Sequence, residues 1–207
     1  MIPKLNMVSY VIRFLKPLLP FDALKMVYFS TFHSIISYGI TFWGSSTYSK
    51  IIFKTQKRVV RIITNSDNKD SCRNLFKKLC ILPPQPQYIL YLIMFVVKNK
   101  GLFKKNSDIY SFNTRFNYDL HVPVANLAAF QKGVQFSGIK IYNHFSLTLK
   151  QLSHDIPKFK AALKRFLLTN SFAHLRNIMG GNKDFVFYYY IVRISQIIVL
   201  VLITVLI

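Results

Sequence analysis

Basic residues outnumber acidic residues four to one in this chain, and this imbalance limits what the chain can fold into and bind. Its 207 residues include 28 Lys and Arg but only seven acidic residues, which gives a formal net charge of +21. Ordinary soluble enzymes carry a much smaller net charge, because like charges repel one another in the compact state. We therefore expect the partner of this protein to be a polyanion.

The acidic residues that are present do not form a catalytic pattern. All seven are aspartates, and no two of them are adjacent in the sequence. This excludes adjacent-aspartate magnesium sites and disfavours paired-carboxylate hydrolysis. Asp67 and Asp70 lie three residues apart, but two carboxylates without further oxygen ligands bind a metal weakly. We expect no catalytic residue, no metal site and no cofactor.

The cysteines and histidines do not predict a site either. Cys72 and Cys80 are eight residues apart without a CxxC motif, so we interpret both as reduced, packed side chains. The five histidines show no metal-ligand spacing: they are His33, His121, His144, His154 and His174. Arg13 and Lys16 interrupt the N-terminal apolar stretch, and no small-residue cleavage site follows, so a signal peptide is not predicted.

The length allows one domain or two small ones, and an apolar content of 52% supplies a core. Residues 3–64 are predicted to be helical with short interruptions. Asp22 can cap a helix that runs to about residue 38. Its apolar side chains recur every three or four residues and predict a buried face: Leu24, Val27, Tyr28, Thr31, Phe32 and Ile35. A turn follows at residues 37–46, where Gly39 and Gly44 permit backbone angles that aromatic neighbours resist.

The helix predicted over residues 47–63 has the most informative charge pattern. Four cations spaced by four, three and four residues share one side, and Arg58 adjoins them: Lys50, Lys54, Lys57 and Arg61. The apolar residues project elsewhere: Ile52, Val59, Val60 and Ile63. Because no acidic residue occurs between Asp22 and Asp67, the cations repel one another without intrahelical pairing. A binding role explains this pattern better than stability does, and a merely solvated face is the alternative.

Three further segments are predicted between residues 71 and 123. Ser71 can cap a short helix over residues 72–80, whose cations face outward: Arg73, Lys77 and Lys78. Three prolines are expected to end that helix: Pro83, Pro84 and Pro86. Residues 88–97 are an unbroken apolar decad, too short to span a bilayer, and predict a buried helix. Residues 98–123 keep neither helical nor strand periodicity and predict a long loop.

The C-terminal part is less uniform. Residues 134–142 fit a strand or a short helix. A clearer helix follows, with Ser153 or Asp155 as its cap and Pro157 in its first turn; its apolar stripe is Phe159, Leu163, Phe166 and Leu167. In residues 186–207, fifteen side chains are Leu, Ile, Val or Phe, and the 22 residues match the thickness of a hydrocarbon core. This tail is either a transmembrane helix or no selected part of the domain.

An ordered series of short motifs runs through about residues 5–172. It comprises Tyr28, Phe29, His33, Ser34, residues 37–40 (SYGI), Trp43, Gly44, residues 53–63 (FKTQKRVVRII), 71–73 (SCR), 75–79 (LFKKL), 81–83 (ILP), 88–90 (YIL), 113–115 (NTR), 138–143 (GIKIYN), Phe159, Lys160, Leu163, Phe166 and Leu167. The series resembles the region downstream of the catalytic palm in reverse transcriptases of jockey-like non-LTR (LINE-type) retrotransposons. The resemblance depends on the order of the motifs, because no single one is specific.

The resemblance implies a mainly helical thumb-and-beyond segment, which in complete elements helps to hold the RNA template and primer duplex beside the polymerase. The family's palm carries an aromatic-Ala-Asp-Asp motif that holds magnesium, and this chain has no Asp-Asp pair. The family's endonuclease and Cys/His knuckle also have no counterpart here. His144 and Phe145 replace a Leu-Pro-like continuation, and residues 173–176 (AHLR) replace an acidic ending. We therefore expect a truncated, non-catalytic fragment whose tail ran past its original end or shifted frame.

The expected architecture is mainly α, with a helical bundle-like body, a long irregular loop region and a C-terminal hydrophobic helix. We expect a thumb-like unit at residues 1–98, a loop-rich linker at 99–133, a second helical unit at 134–172 and the tail at 184–207. If the chain is a fragment, surfaces that once met the palm should now be exposed.

The candidate contacts to nucleic acid follow from these patterns. Lys and Arg bind phosphate backbones through counterion release and need no base-reading code. The five cations of residues 47–63 are the first choice, those of residues 72–80 the second, and Arg115 the third. Tyr38, Trp43 and Tyr88 are of the type that stacks on bases, but we expect them to be core residues.

Three functions stay open from the sequence. The leading one is a non-catalytic remnant of an RNA-directed DNA polymerase that binds RNA or an RNA/DNA hybrid. The second is a basic membrane protein anchored by residues 186–207, attracted to anionic lipid. The third is a polymerase subunit that acts with a separate, palm-bearing chain. The expected location is the nucleus or cytoplasm, with membrane attachment only under the second interpretation.

Overall fold

The computed structural model describes residues 1–111, 115–131, 133–145 and 147–169. This part of the chain is mainly α-helical and contains no strand, only an isolated antiparallel bridge between Lys105 and Leu120. Its α-helices are α1 (Ile2–Leu15), α2 (Phe21–Val27), α3 (Ser34–Ser37), α4 (Ile40–Trp43), α5 (Tyr48–Thr64), α6 (Cys72–Leu79), α7 (Pro84–Lys98), α8 (Ala128–Gln131), α9 (Val134–Asn143), α10 (Leu147–Gln151) and α11 (Ile156–Thr169). The predicted mainly α fold is confirmed, whereas the predicted hydrophobic helix at 184–207 lies outside the described residues.

The chain divides into two compact units. The first comprises Met1–Tyr91 together with Leu167–Thr169, and the second comprises Leu92–Phe166, so the division falls within α7. The domain boundaries expected at residues 98, 133 and 172 stay a prediction.

A π-helical turn, Tyr28–His33, joins α2 to α3. The buried side chains along this segment recur at every fourth residue: Leu24, Tyr28, Phe32 and Ile36. In a regular α-helix of 3.6 residues per turn, a stripe of period four drifts around the axis. The π turn holds more residues per turn and therefore reduces the drift, which keeps the stripe facing the core.

The predicted face and cap of this segment are only partly right. Leu24, Tyr28 and Phe32 are buried, but Val27, Thr31 and Ile35 are half-buried because the stripe follows the π turn. The cap prediction for Asp22 is wrong. Pro20 occupies the N-cap position with extended backbone, and Asp22 lies one residue inside the first turn without a capping hydrogen bond.

Two glycines shape the predicted turn at residues 37–46 for different reasons. Gly39 has φ +61°, a left-handed conformation that favours glycine, as predicted. Gly44 has an ordinary right-handed conformation, so the prediction is wrong there. A Cβ on Gly44 would lie 2.4 Å from Cδ2 of Tyr88, which shows that its role is close packing against that ring.

Helix α6 lies within the predicted range, but its ends differ from the expectation. Ser71 occupies the N-cap position, yet its hydroxyl makes no capping hydrogen bond. The helix ends at Leu79, where Cys80 adopts a left-handed conformation with φ +55°. The prolines therefore do not end α6; Pro84 instead begins α7, a position that tolerates the missing N–H.

The cysteines and the apolar decad also have clear outcomes. Both cysteines are free, as predicted, but only Cys72 is buried and Cys80 is exposed. Cys80 is therefore a helix-terminating residue and not a packed one. The buried helix predicted at residues 88–97 is confirmed by seven core side chains of α7: Tyr88, Ile89, Leu90, Leu92, Ile93, Val96 and Val97.

In the second unit, residues 134–142 form a helix and not a strand. A Cβ on Gly138 of α9 would lie 2.8 Å from Cγ2 of Val96 and 3.5 Å from the carbonyl oxygen of Leu92. Both neighbours belong to α7. A residue without a side chain is therefore what allows α9 to approach α7 this closely.

Side-chain hydrogen bonds anchor the irregular chain between α7 and α8. The Asn143 amide donates to the Leu120 carbonyl (2.7 Å), and its Oδ1 accepts from the Leu120 N–H (3.0 Å). The Lys150 ammonium lies 2.8 Å from the Asp119 carboxylate and donates to the Asn143 carbonyl (2.9 Å). The predicted loop is thus irregular but held at one end by α9 and α10.

Asp155, and not Ser153, caps α11. Its Oδ1 accepts from the Lys158 N–H at 3.1 Å, and this hydrogen bond lowers the pKa of Asp155. Ser153 is buried and bonds instead to Lys100 and to the Lys150 carbonyl. The rest of the helix is as predicted, with Pro157 in its first turn and three residues of the apolar stripe buried: Phe159, Leu163 and Leu167.

Helix α1 exposes a second apolar face opposite to its packed one. Leu5, Ser9 and Ile12 are buried, and α1 packs against α5. The opposite side exposes Met7, Tyr10, Val11, Phe14 and, after the helix, Leu18. A helix that is apolar on both sides is usually covered on both, so α1 presents an apolar face that no described residue covers.

No single helix among the described residues is long and apolar enough to cross a membrane. One pair, α6 with α7, passes by length and composition together and is bent by 43°.

Candidate nucleic-acid interface

The buried side of α5 determines where its cations point. Seven side chains of α5 are buried: Ser49, Ile52, Thr55, Gln56, Val59, Val60 and Ile63. At roughly 100° per residue, the five cations of α5 fall within a sector of about 100° on the opposite side. The helix and its one-sided charge, both predicted from the sequence, are therefore present in the structure.

Three of the five cations point freely into solvent. Lys50, Lys54 and Arg58 are exposed. Lys57 is half-buried, and its ammonium lies 4.8 Å from the centroid of the Phe53 ring, which is a cation–π contact. The aliphatic part of Lys57 is thus fixed along the helix while its charge stays near the surface.

Arg61 has a structural contact that the sequence did not indicate. Its Nη2 donates to the Asp70 carbonyl at 2.9 Å, and its Nε is buried without a hydrogen-bond partner among the described residues. The side chain is half-buried as a result. Arg61 therefore holds the loop after α5, and its guanidinium is less available to a ligand than the other four cations.

Helix α6 adds a second row of cations beside the first. Arg73, Lys77 and Lys78 are all exposed, on the side away from the buried Cys72, Phe76 and Leu79. The two helices pack through Phe53 and Phe76, whose stacked rings are 5.9 Å apart. Lys57 lies over that same Phe53 ring, so one cation of α5 is next to the contact between the two helices. We use the term basic face for seven cations of α5 and α6: Lys50, Lys54, Lys57, Arg58, Arg73, Lys77 and Lys78. Arg61 is left out because of its contact with Asp70.

No carboxylate pairs with the basic face in the part of the chain that the structure describes. Lys150 instead pairs with Asp119 and Lys158 with Asp155, all in the second unit. The nearest acidic residues in the sequence are Asp67 and Asp70, and the Asp70 carboxylate accepts a hydrogen bond from the Asp67 backbone N–H at 3.0 Å. The positive potential of the basic face is therefore not neutralised locally.

Arg115, the third choice from the sequence, is exposed but belongs to the second unit. Nothing groups it with the basic face. Within the described ranges, no three His, Cys or Asp side chains come together as a metal site.

The aromatic candidates separate into buried and exposed residues. Tyr88 is fully buried, as expected, and Trp43 is half-buried. Tyr38, also expected in the core, is 86% exposed. Phe42, which the sequence reasoning missed, is 85% exposed. Helical spacing does not relate these two rings, because extended backbone at Tyr38 and left-handed Gly39 separate α3 from α4.

No protein-family model, curated protein or solved structure matches this chain.

Proposed function

We propose that this protein binds RNA or an RNA/DNA hybrid through phosphate contacts made by the basic face, without a catalytic step of its own. The observation that carries the proposal is the exposure of Lys50, Lys54 and Arg58 on one side of α5, opposite its buried side and unpaired with any described carboxylate. A helix stabilises itself by mixing charge signs along its surface. A row of Lys and Arg side chains without acidic neighbours is most simply explained by a negatively charged ligand.

Binding of this kind needs little chemistry. Each Lys or Arg that meets a phosphate releases a condensed counterion, and that release supplies the free energy of association. The contacts position the backbone but read no base sequence. The basic face of α5 and α6 therefore suits a partner of regular backbone and variable sequence, such as a template and primer duplex.

The origin we propose is the region downstream of the palm in a retrotransposon reverse transcriptase, as the ordered motifs imply. The exposed apolar face of α1 supports it, because such a face is expected where another part of a polymerase was lost or is supplied by a separate palm-bearing chain. Reading the coding frame upstream tests this origin. A palm segment with an Asp-Asp motif there would support it, and an unrelated coding sequence would contradict it.

An equilibrium binding titration with a short RNA/DNA hybrid tests the proposed function. Changing Lys50, Lys54 and Arg58 together to Ala should weaken binding roughly 10- to 100-fold at moderate salt, because three phosphate contacts are lost. The matched control changes Lys4, Arg13 and Lys140 to Ala, which are exposed on other helices and remove the same charge. Equal losses in the two variants would show that net charge and not the basic face determines binding.

The absence of catalysis is tested separately by primer extension with the purified chain alone. We expect no nucleotide incorporation. Incorporation without a second chain would contradict the proposal. The alternative of a tail-anchored membrane protein depends on residues 186–207, outside the described residues; deleting them should then release the protein from membranes.

A further inference from the structure

We infer that unpaired nucleic-acid bases stack on Tyr38 and Phe42, so that the proposed interface also binds single-stranded or partly unpaired segments. This inference rests on the proposed function and adds a ligand class to it. We call these two residues the aromatic pair.

The exposure of the aromatic pair is the first observation. Tyr38 is 86% exposed and Phe42 is 85% exposed, although both lie in the first unit among well-buried neighbours such as Ile36 and Ile40. Moving a large aromatic ring out of water lowers the free energy, so two rings that stay this exposed present apolar surface that a ligand can cover. Base rings are planar, and they stack on aromatic side chains independently of their identity.

The turn that carries the pair is fixed by hydrogen bonds. The Trp43 indole N–H donates to the Tyr38 carbonyl at 3.2 Å, and the Phe42 N–H donates to the Gly39 carbonyl at 2.9 Å. Gly39 is in the left-handed conformation, and the Phe42 ring lies 3.8 Å from the position that a Cβ on Gly39 would take. The rings are therefore presented by a defined backbone, which reduces the entropy lost when a base stacks on them.

The aromatic pair also lies close along the chain to the basic face. Successive tight turns connect Phe42 to Lys50: the Gly44 N–H donates to Ile40 (2.8 Å), Ser46 to Trp43 (2.9 Å), Ser49 to Ser46 (3.2 Å) and Lys50 to Thr47 (3.3 Å). A chain wound this tightly rises only about 1.5–2 Å per residue. Eight such residues span about 16 Å at most. A single strand of the four to sixteen nucleotides that such sites cover is long enough to bridge that distance.

Charge decides between a nucleic acid and a second copy of the chain as the occupant. Residues 1–91 hold thirteen Lys and Arg against three Asp, so two copies brought together here would repel each other. A nucleic acid brings phosphates to the cations and bases to the rings at the same time. Tyr38 and Phe42 also differ from the exposed face of α1 in their position along the chain, because they lie only twelve and eight residues before Lys50, the first of the α5 cations.

Titrations with two probes test the inference: an oligouridylate of about twelve nucleotides and an RNA/DNA hybrid of the same length. Changing Tyr38 and Phe42 together to Ala should weaken oligouridylate binding about 5- to 100-fold and leave hybrid binding unchanged within about twofold. Substitution by other aromatics, Tyr38→Phe with Phe42→Tyr, should retain affinity. The control double variant, Tyr10→Ala with Phe14→Ala on α1, removes exposed rings elsewhere and should change neither titration.

Trp43, the sole tryptophan of the chain, provides a second readout within the same turn. Its fluorescence should change on addition of oligouridylate and much less on addition of the hybrid. An oligouridylate affinity that survives loss of both rings would overturn the inference, as would equal weakening for both probes. The inference would also be overturned if the unmodified protein self-associated in analytical sedimentation and the variant with Tyr38 and Phe42 changed to Ala did not.

The two proposals fail differently. If the unmodified protein binds neither probe, or binds both without regard to Lys50, Lys54 and Arg58, the proposed function is wrong. If binding depends on those cations but not on the aromatic pair, only the present inference is wrong.

Discussion

Gln56 lies fully buried in the middle of α5, on the side opposite the cations. Its amide donates to the Tyr28 hydroxyl at 2.8 Å and to the Leu82 carbonyl at 3.0 Å. A buried amide is costly unless it is hydrogen-bonded, so α5 cannot rotate about its axis without losing both contacts. Gln56 thereby fixes the direction in which Lys50, Lys54 and Arg58 point.

Tyr28 makes this contact sensitive to alkaline pH. Burial raises the pKa of Tyr28, while the hydrogen bond from Gln56 acts in the opposite direction and is weaker. Because the folded state favours the neutral phenol, the contribution of Tyr28 to stability is complete below its ordinary pKa of about 10 and falls as the pH rises above it. The Tyr28→Phe variant should cost about 1 kcal/mol near neutrality. The difference in unfolding free energy between the two proteins should shrink above pH 10, measured by urea unfolding; a constant difference up to pH 11 would contradict this prediction.

At the scale of the elements, α7 is held in each unit by a close contact with a glycine: Gly44 in the first unit and Gly138 in the second. Gly44 is the tighter case, since a Cβ there would lie 2.4 Å and 2.6 Å from two atoms of the Tyr88 ring and 2.7 Å from the Ile40 carbonyl oxygen. Tyr88 is fully buried. The turn between α4 and α5 is therefore held directly against α7.

Gly44→Ala should destabilise the protein by roughly 1–3 kcal/mol, because the added methyl group displaces a buried ring. Gly101→Ala is the matched control: nothing lies within 4 Å of a Cβ at that position, so its effect should stay within about 0.5 kcal/mol. Thermal and urea unfolding compare the two variants. Equal stability of Gly44→Ala and the unmodified protein would show that the packing against Tyr88 is looser than described.

The elements differ in how far the sequence could predict them. Periodicity predicted α5 and the apolar stripe of α11, because burial on one side repeats with the helix. The buried part of α7 was predicted from its unbroken apolar run. The helix ends were predicted less well. Asp22 and Ser71 have good capping side chains, but whether a side chain caps depends on the local backbone, which the pattern does not contain. Pro84 fits the end of one helix and the start of the next equally well.

The candidate site likewise has features that the sequence could predict and features that it could not. One-sided charge on α5 and α6 follows from residue spacing and could be predicted. The contact of Arg61 with Asp70 and the exposure of Tyr38 and Phe42 could not, because both depend on how a loop or turn folds back on the helices. Such contacts are set by tertiary structure, whereas the spacing of apolar residues indicates only the type of an element and its buried side.

At the scale of the whole molecule, the cationic surface and the exposed apolar surface of the first unit lie on different helices. The first unit presents a one-sign row on α5 and α6 and a bare apolar face on α1. Both features are costly for an isolated chain, since the cations repel one another and the apolar face stays in water. A nucleic acid relieves the first cost, and a further protein surface relieves the second.

The salt dependence of binding to an RNA/DNA hybrid tests the central claim most directly. If the basic face contacts phosphates, the logarithm of the association constant should fall linearly with the logarithm of salt concentration, with a slope of about −4 to −6. Changing Lys50, Lys54 and Arg58 to Ala should make that slope shallower by about 2 to 3, as three contacts are lost. A slope near zero, or the same slope in the unmodified protein and the variant, would show that these cations face solvent only.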